Sequence, residues 1–173
     1  MLSQVVVDVI NKQINSELSA HYAYLAMSAH CEHINFTGAA KWLRLQSQEE
    51  YGHAMRLLDF LLAKNAKVEL KGISEPKREY TSLVDVFETA YKQEQNVTKQ
   101  INGLYEVAFK AKAFDTVIQT EWFVNEQVEE EKAMRDIVAR LRMVKDDPPS
   151  LLDLDRDLGS RTAAPAAPRG AAE

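Results

Sequence analysis

Leu45–Phe60 reads LQSQEEYGHAMRLLDF. Its apolar residues recur at the three-and-four spacing of an amphipathic helix, yet Glu50 and His53 interrupt the middle of the stripe. A carboxylate and an imidazole, one turn apart on an inward face, need a physical reason.

Upstream, NFTGAAKW (35–42) is a break, with Asn35 and Thr37 offering turn and cap chemistry. Before it, Gln4 to Ile34 holds neither glycine nor proline, and its apolar period predicts a first helix. The opening stretch belongs to a second helix, from about Gly38 to Asn65. AKVELKGISEPKREYTS (66–82) lacks the period and reads as a loop. A third helix is expected from about Ser82 to Lys110, with a turn at KAKAF (110–114). A fourth continues to about Lys145, where DDPPS stops it, because proline cannot continue a helix. SLLDLDRDLGS (150–160) reads as a short amphipathic fifth helix with Ser150 as N-cap. The expected fold is all-α: a four-helix bundle plus one short helix, as a single domain over residues 1–161. The Ala/Pro-rich residues 162–173 have nothing to bury and are expected to be disordered. The loop between the second and third helices, about 16 residues, reaches about 50 Å when extended, the length of the bundle. A crossover connection needs that reach; an up-down neighbour does not.

Length and composition agree. The chain has 173 residues, 46% hydrophobic, enough for one substantial core. Net charge is −5 with no basic block, which argues against nucleic acid as a partner. No apolar run approaches the roughly 18 residues needed to span a bilayer, and no signal-peptide pattern opens the chain. Cys31 is the lone cysteine and reads as a packed thiol in a reducing, cytoplasmic setting.

Each long helix carries a glutamate near the middle of its inward stripe: Glu17, Glu50, Glu94 and Glu130. Counted from the two short turns, the carboxylates of each hairpin lie at nearly matching depth. Four carboxylates, His53 and the amide of Gln127 converge on one layer. Burying even one unpaired carboxylate costs several kcal/mol, and like charges add to it. Two or three cations resolve the conflict, and a glutamate-oxygen and histidine-nitrogen donor set suits iron or manganese. Residues three apart share a helix face, so Glu50 is placed to bridge two metals while His53 caps one. A single inward glutamate is more often a rim residue, but four at one depth are hard to obtain by error of phase. His21 reads as a satisfied core histidine near the layer, and His30 and His33 as surface residues. Tyr24 is either a packed aromatic or a hydrogen-bond and electron donor to the centre.

The pieces INSELSAHYAYLAMSAHCE, QSQEEYGHAMRL, YKQEQNVTKQI and EWFVNEQVEEEKAM together resemble a bacterial-type non-haem ferritin, over about Met1 to Arg161. The resemblance implies a ferritin-like bundle assembled into a hollow shell of 24 subunits. It implies a di-iron ferroxidase centre, with Glu17, Glu50 and His53 at one iron and Glu50, Glu94 and Glu130 at the second, and Gln127 nearby. Glu49, Glu126, Glu129 and Glu130 match the ligands of a third iron site, and Tyr24 and Trp122 match aromatics beside the centre. The implied reaction is oxidation of Fe(II) by O2 or H2O2, followed by storage as ferric mineral. The fourth helix has Gln127 and Glu130 where a bacterioferritin has a second Glu-x-x-His. Tyr51 follows Glu50 where a haem-ligating methionine would stand, so no haem is expected. A passive storage shell and a small di-metal oxidase that does not store are the alternatives. The intact ligand set speaks against the first, and the apolar fifth helix, suited to packing between subunits, against the second. Gly52 costs roughly 1 kcal/mol relative to alanine inside a helix, and is expected to allow close approach of a neighbouring helix.

Overall fold

A computed structural model describes residues 2–163. Its order is α1 Gln4–His33, α2 Thr37–Ala63, α3 Leu83–Lys110, α4 Phe114–Val144 and α5 Pro148–Gly159. Residues 164–173, most of the expected tail, lie outside the described residues.

Three turns reuse one device. After α1, α2 and α3 the chain passes through a left-handed residue, Asn35 (φ 62°), Asn65 (φ 53°) and Lys112 (φ 56°). In each, the next amide reaches back to the helix: Phe36 N to Cys31 O (2.9 Å), Ala66 N to Leu61 O (3.0 Å) and Ala113 N to Ala108 O (3.0 Å). This closes the free carbonyls of each helix end. Lysine suits the left-handed region least. Lys112→Gly is expected to raise stability by up to about 1 kcal/mol, measured by urea denaturation.

The α2–α3 loop crosses the whole bundle. It is laced to α1 near one end by two asparagines one turn apart. Asn11 bonds Lys67 O (2.9 Å) and Glu69 N (2.7 Å); Asn15 bonds Glu69 O (2.8 Å) and Lys71 N (2.6 Å). At the far end Tyr80 packs edge-on against His30 of α1, with ring centroids 5.0 Å apart. The loop therefore travels from the level of residue 11 to that of residue 30, and α3 starts beside the end of α1. His30 is half-buried by this contact rather than on the surface; His33 is exposed.

Two caps differ from expectation. Thr37 makes no cap at α2; the amides of Gly38 (3.1 Å) and Ala39 (2.8 Å) donate instead to the buried carboxylate of Asp155 on α5. At α5, Asp147 rather than Ser150 is the N-cap, accepting from Ser150 N at 3.3 Å. The two prolines that end α4 sit in the first turn of α5, where the amides they lack would be unpaired anyway. α5 lies against the start of α2, where Gly38 and Gly159 pack together; a Cβ on Gly38 would lie 1.8 Å from Asp155 O.

The core is two apolar clusters. One holds Val6, Ile10, Ile14, Leu57, Leu61, Val97, Ile101, Leu104 and Phe123. The other holds Met27, Leu43, Phe87, Met134, Leu141, Leu154 and their neighbours, with Tyr24 among them. Between the clusters runs a polar layer.

Candidate metal centre

The layer is built by one residue type recurring at one level of four helices. Glu17 (0% exposed), Glu50 (1%), Glu94 (0%) and Glu130 (7%) come from α1, α2, α3 and α4 in turn. They sit inside because the apolar residues a turn above and below them are held in the two clusters, which leaves no rotation of any helix that would expose one. His53 (6%) joins them one turn after Glu50.

The oxygens and nitrogens converge in two groups. Glu17, Glu50 and His53 bring one ligand atom each to within 4.8 Å of one another, and so do His53, Glu126 and Glu130. The first group brings together the three residues that the resemblance assigns to one iron. The second differs from the implied trio of Glu50, Glu94 and Glu130, which is not gathered to that spacing. The reason is visible in the hydrogen bonds. Tyr24 donates from its hydroxyl to Glu94 Oε1, and Gln127 Nε2 lies 3.3 Å from Glu94 Oε2. Gln46 Nε2 donates to Glu130 Oε2 at 2.7 Å and to Glu50 Oε1 at 3.3 Å. Like-charged carboxylates turn toward the nearest donors. Of the implied third-site residues, Glu126 is half-buried in the second group and Glu129 is exposed. Glu49 is held by Arg161 at 2.5 Å.

The donor set is left incomplete by the protein alone. Gln13 donates to Glu17 Oε1 at 2.8 Å, but Glu17 Oε2 and Glu50 Oε2 are buried and accept no hydrogen bond. His53 Nδ1 lies 3.4 Å from Glu50 Oε2, close but not hydrogen-bonded. Two buried carboxyl oxygens without a hydrogen-bond partner, grouped with an imidazole, fit a hard or borderline divalent cation such as iron.

Burial makes the cluster hold protons. It pushes Glu17 up to about 8, with the Glu50 charge adding, and Glu130 up to about 7, with the Glu94 charge adding. Burial also raises Glu50 well above the carboxylate range, reinforced by Glu94 and Glu130. Glu94 rises through burial, against the opposing hydrogen bonds of Tyr24 and Gln127. The folded chain therefore binds more protons than the unfolded one between pH 4.5 and about 8. The layer's own contribution to metal-free stability is full below that window and falls as pH rises through it. Thermal denaturation at pH 5 and pH 8 should show the fall, and saturating Zn(II) should diminish it, because a bound cation takes the place of the protons.

Aromatic residues wall the layer. Tyr24 is fully buried. Trp122 and Phe123 both meet His53 edge-on, at 5.4 and 5.7 Å, and Arg56 stacks over Trp122 at 4.1 Å. His21 is satisfied, its Nδ1 lying 2.8 Å from Ser47 O and 2.9 Å from Ser47 Oγ. Gln13, Gln46 and Arg161 were not signalled by the sequence as parts of the centre. Gln46 and Gln13 could have been found, since each stands four residues before a layer glutamate. Gly52 lies on an exposed face and has no atom within 4 Å of where its Cβ would be, so the expected close helix approach is not there within the described chain. Gly52→Ala is expected to raise stability by about 1 kcal/mol, as read by the thermal midpoint.

Known proteins share this layout. The family described as Ferritin, ferritin-like domain, matches residues 7–144. The bacterial non-heme ferritin of Staphylococcus aureus is 33% identical over 162 residues, covering 94% of this chain and 98% of that protein. That of Campylobacter jejuni is 39% identical over 144 residues, covering 83% and 86%. Among solved structures, an open-pore ferritin from the archaeon Archaeoglobus fulgidus superposes with a TM-score of 0.91 at 40% identity, covering 93% of this chain and 98% of that one. A humanized archaeal ferritin reaches 0.94 at 39%, covering 95% and 100%. Five helices in this order around one buried carboxylate layer, matched in sequence nearly end to end, make the chain a member of the ferritin family, of the bacterial non-haem type.

Proposed function

We propose that the protein stores iron by oxidising Fe(II) at this layer and passing the ferric product to the interior of a 24-subunit shell. The observation that carries the proposal is the pair of orphaned oxygens, Glu17 Oε2 and Glu50 Oε2, beside His53. In this reading Fe(II) is the substrate and O2 or H2O2 the oxidant. Glu17, Glu50 and His53 hold one ion. His53 is shared in the geometry with Glu126 and Glu130, so the second ion settles among Glu50, Glu94, Glu126 and Glu130 as those carboxylates leave their present donors. Glu49 and Glu129 complete a third, outer site.

The iron and the oxidant supply the redox chemistry. The chain supplies charge, geometry and exclusion of water. Four carboxylates favour Fe(III) over Fe(II), because the higher charge gains more from an anionic cage. Tyr24 and Gln127 orient Glu94, and Gln46 orients Glu130 and Glu50. Protons held by Glu17 and Glu130 are released as cations enter. Trp122, Phe123 and Tyr24 keep the layer dry. The cytoplasm is the proposed setting; among the described residues no helix is long and apolar enough to cross a membrane.

The test is stopped-flow absorbance after mixing metal-free protein with two Fe(II) per subunit in aerobic buffer. Rapid ferric absorbance, well ahead of buffer alone, is expected. Oxidation at the buffer rate would reduce the protein to a passive shell. Sedimentation velocity tests the assembly: a 24-subunit particle is expected.

A further inference from the structure

Arg161 follows α5 and lies along the outer side of α2. Its guanidinium stacks on Trp42 at 4.2 Å and makes a half-buried ion pair with Glu49 Oε2 at 2.5 Å. It also donates to Gln46 Oε1 at 3.0 Å. That last bond has a consequence. With its oxygen taken by Arg161, the Gln46 amide must present its nitrogen to the layer, where it donates to Glu130 and Glu50. One cation thus sets an outer carboxylate and, through one amide, two inner ones.

The position of Arg161 is itself fixed. Asp155 caps α2, Lys41 Nζ donates to Gly159 O at 2.7 Å, and Gly38 packs against Gly159. The chain after α5 is therefore delivered to the centre by the docking of α5. A carboxylate paired with a guanidinium is poorly available to a metal ion, and the positive charge repels one.

We infer that Arg161 is a positioning residue acting as the resident cation of the outer carboxylate Glu49: it holds Glu49 and orients Gln46 in the metal-free protein, and a divalent cation arriving at Glu49 displaces it. The inference rests on the metal-centre proposal above. It makes the outer site weaker than the inner ones by competition, which favours onward release of an ion from it.

The test is calorimetric titration of the full-length metal-free protein with Zn(II), alongside Arg161→Gln, Arg161→Lys and Glu49→Gln, with thermal midpoints recorded for each. In Arg161→Gln the weakest class of sites is expected to tighten about twofold to fivefold, the scale of a partly exposed ion pair. Arg161→Lys keeps the charge but loses the planar fork, so it should tighten that class less. Glu49→Gln should abolish the class while the inner sites still fill. A purely structural Arg161 would lower the thermal midpoint and leave zinc affinity unchanged. Unchanged or weakened outer binding in both arginine variants overturns the inference and spares the metal centre. No zinc binding by the wild-type protein overturns both.

Discussion

Glu50→Gln is expected to slow Fe(II) oxidation at least about 100-fold without lowering the thermal midpoint of the metal-free protein. The two halves of this result have one cause. Glu50 groups with Glu17 and His53 and shares the Gln46 amide with Glu130, so its carboxylate is the one best placed to serve two ions. Even residues that merely orient metal ligands change affinity or activity by about 10- to 100-fold when replaced, and a shared ligand should cost no less. Most substitutions of fully buried residues destabilise by about 1 kcal/mol or more. Here the native side chain is a buried acid among acids, with one oxygen unpartnered. Glutamine keeps the shape, removes the charge conflict and still accepts from Gln46. Stopped-flow oxidation and differential scanning calorimetry read the two halves separately. Retained oxidation would remove Glu50 from the centre. A drop of several degrees in the metal-free midpoint would show that the carboxylate is structural.

Gly38→Ala is expected to destabilise the subunit by about 2–3 kcal/mol, the largest effect of an added methyl group at any of the described glycines. The added Cβ would overlap the Asp155 carbonyl oxygen at 1.8 Å, a backbone atom that cannot rotate aside. α5 must back away. Doing so lengthens the two bonds from the Gly38 and Ala39 amides to Asp155, which satisfy the start of α2 and complement its dipole. Gly159→Ala faces a milder contact, 3.0 Å from Gly38 Cα, and should cost less. Urea denaturation of both variants, with limited proteolysis of α5, measures the ranking. Equal stability in Gly38→Ala and wild type would show that α5 shifts freely.

Most of the frame was legible because few residues break it. Glycine and proline are scarce in the helices, so apolar periodicity located all five within a few residues, and loop length alone indicated a crossover. The four glutamates were legible for a related reason: a charged residue in an apolar stripe is conspicuous. What escaped the sequence depends on long-range meetings. The cap of α2 comes from Asp155, more than a hundred residues away, so local chemistry pointed wrongly to Thr37. Arg161 lies past the last helix, where nothing in its neighbours marks it as part of the centre. The pairing of carboxylates also escaped, because spacing gives depth but not which oxygen turns toward which amide. Gly52 misled for the opposite reason: an unusual residue invited a local explanation that the described chain does not supply.

The two asparagines of α1 carry a practical consequence for redesign. Asn11 and Asn15 engage Lys67, Glu69 and Lys71 through main-chain groups, at alternate positions, as a neighbouring β-strand would. A one-residue deletion within 67–71 would put the wrong groups opposite both amides at once. Downstream, 72–79 is almost wholly exposed and carries one further ion pair to α3, from Lys77 to Asp85. A guest peptide spliced between Gly72 and Glu75 would lengthen the chain after its register is already fixed. Loop entropy rises slowly with length, so the subunit should accept such cargo there while rejecting the loss of a single residue a few positions earlier.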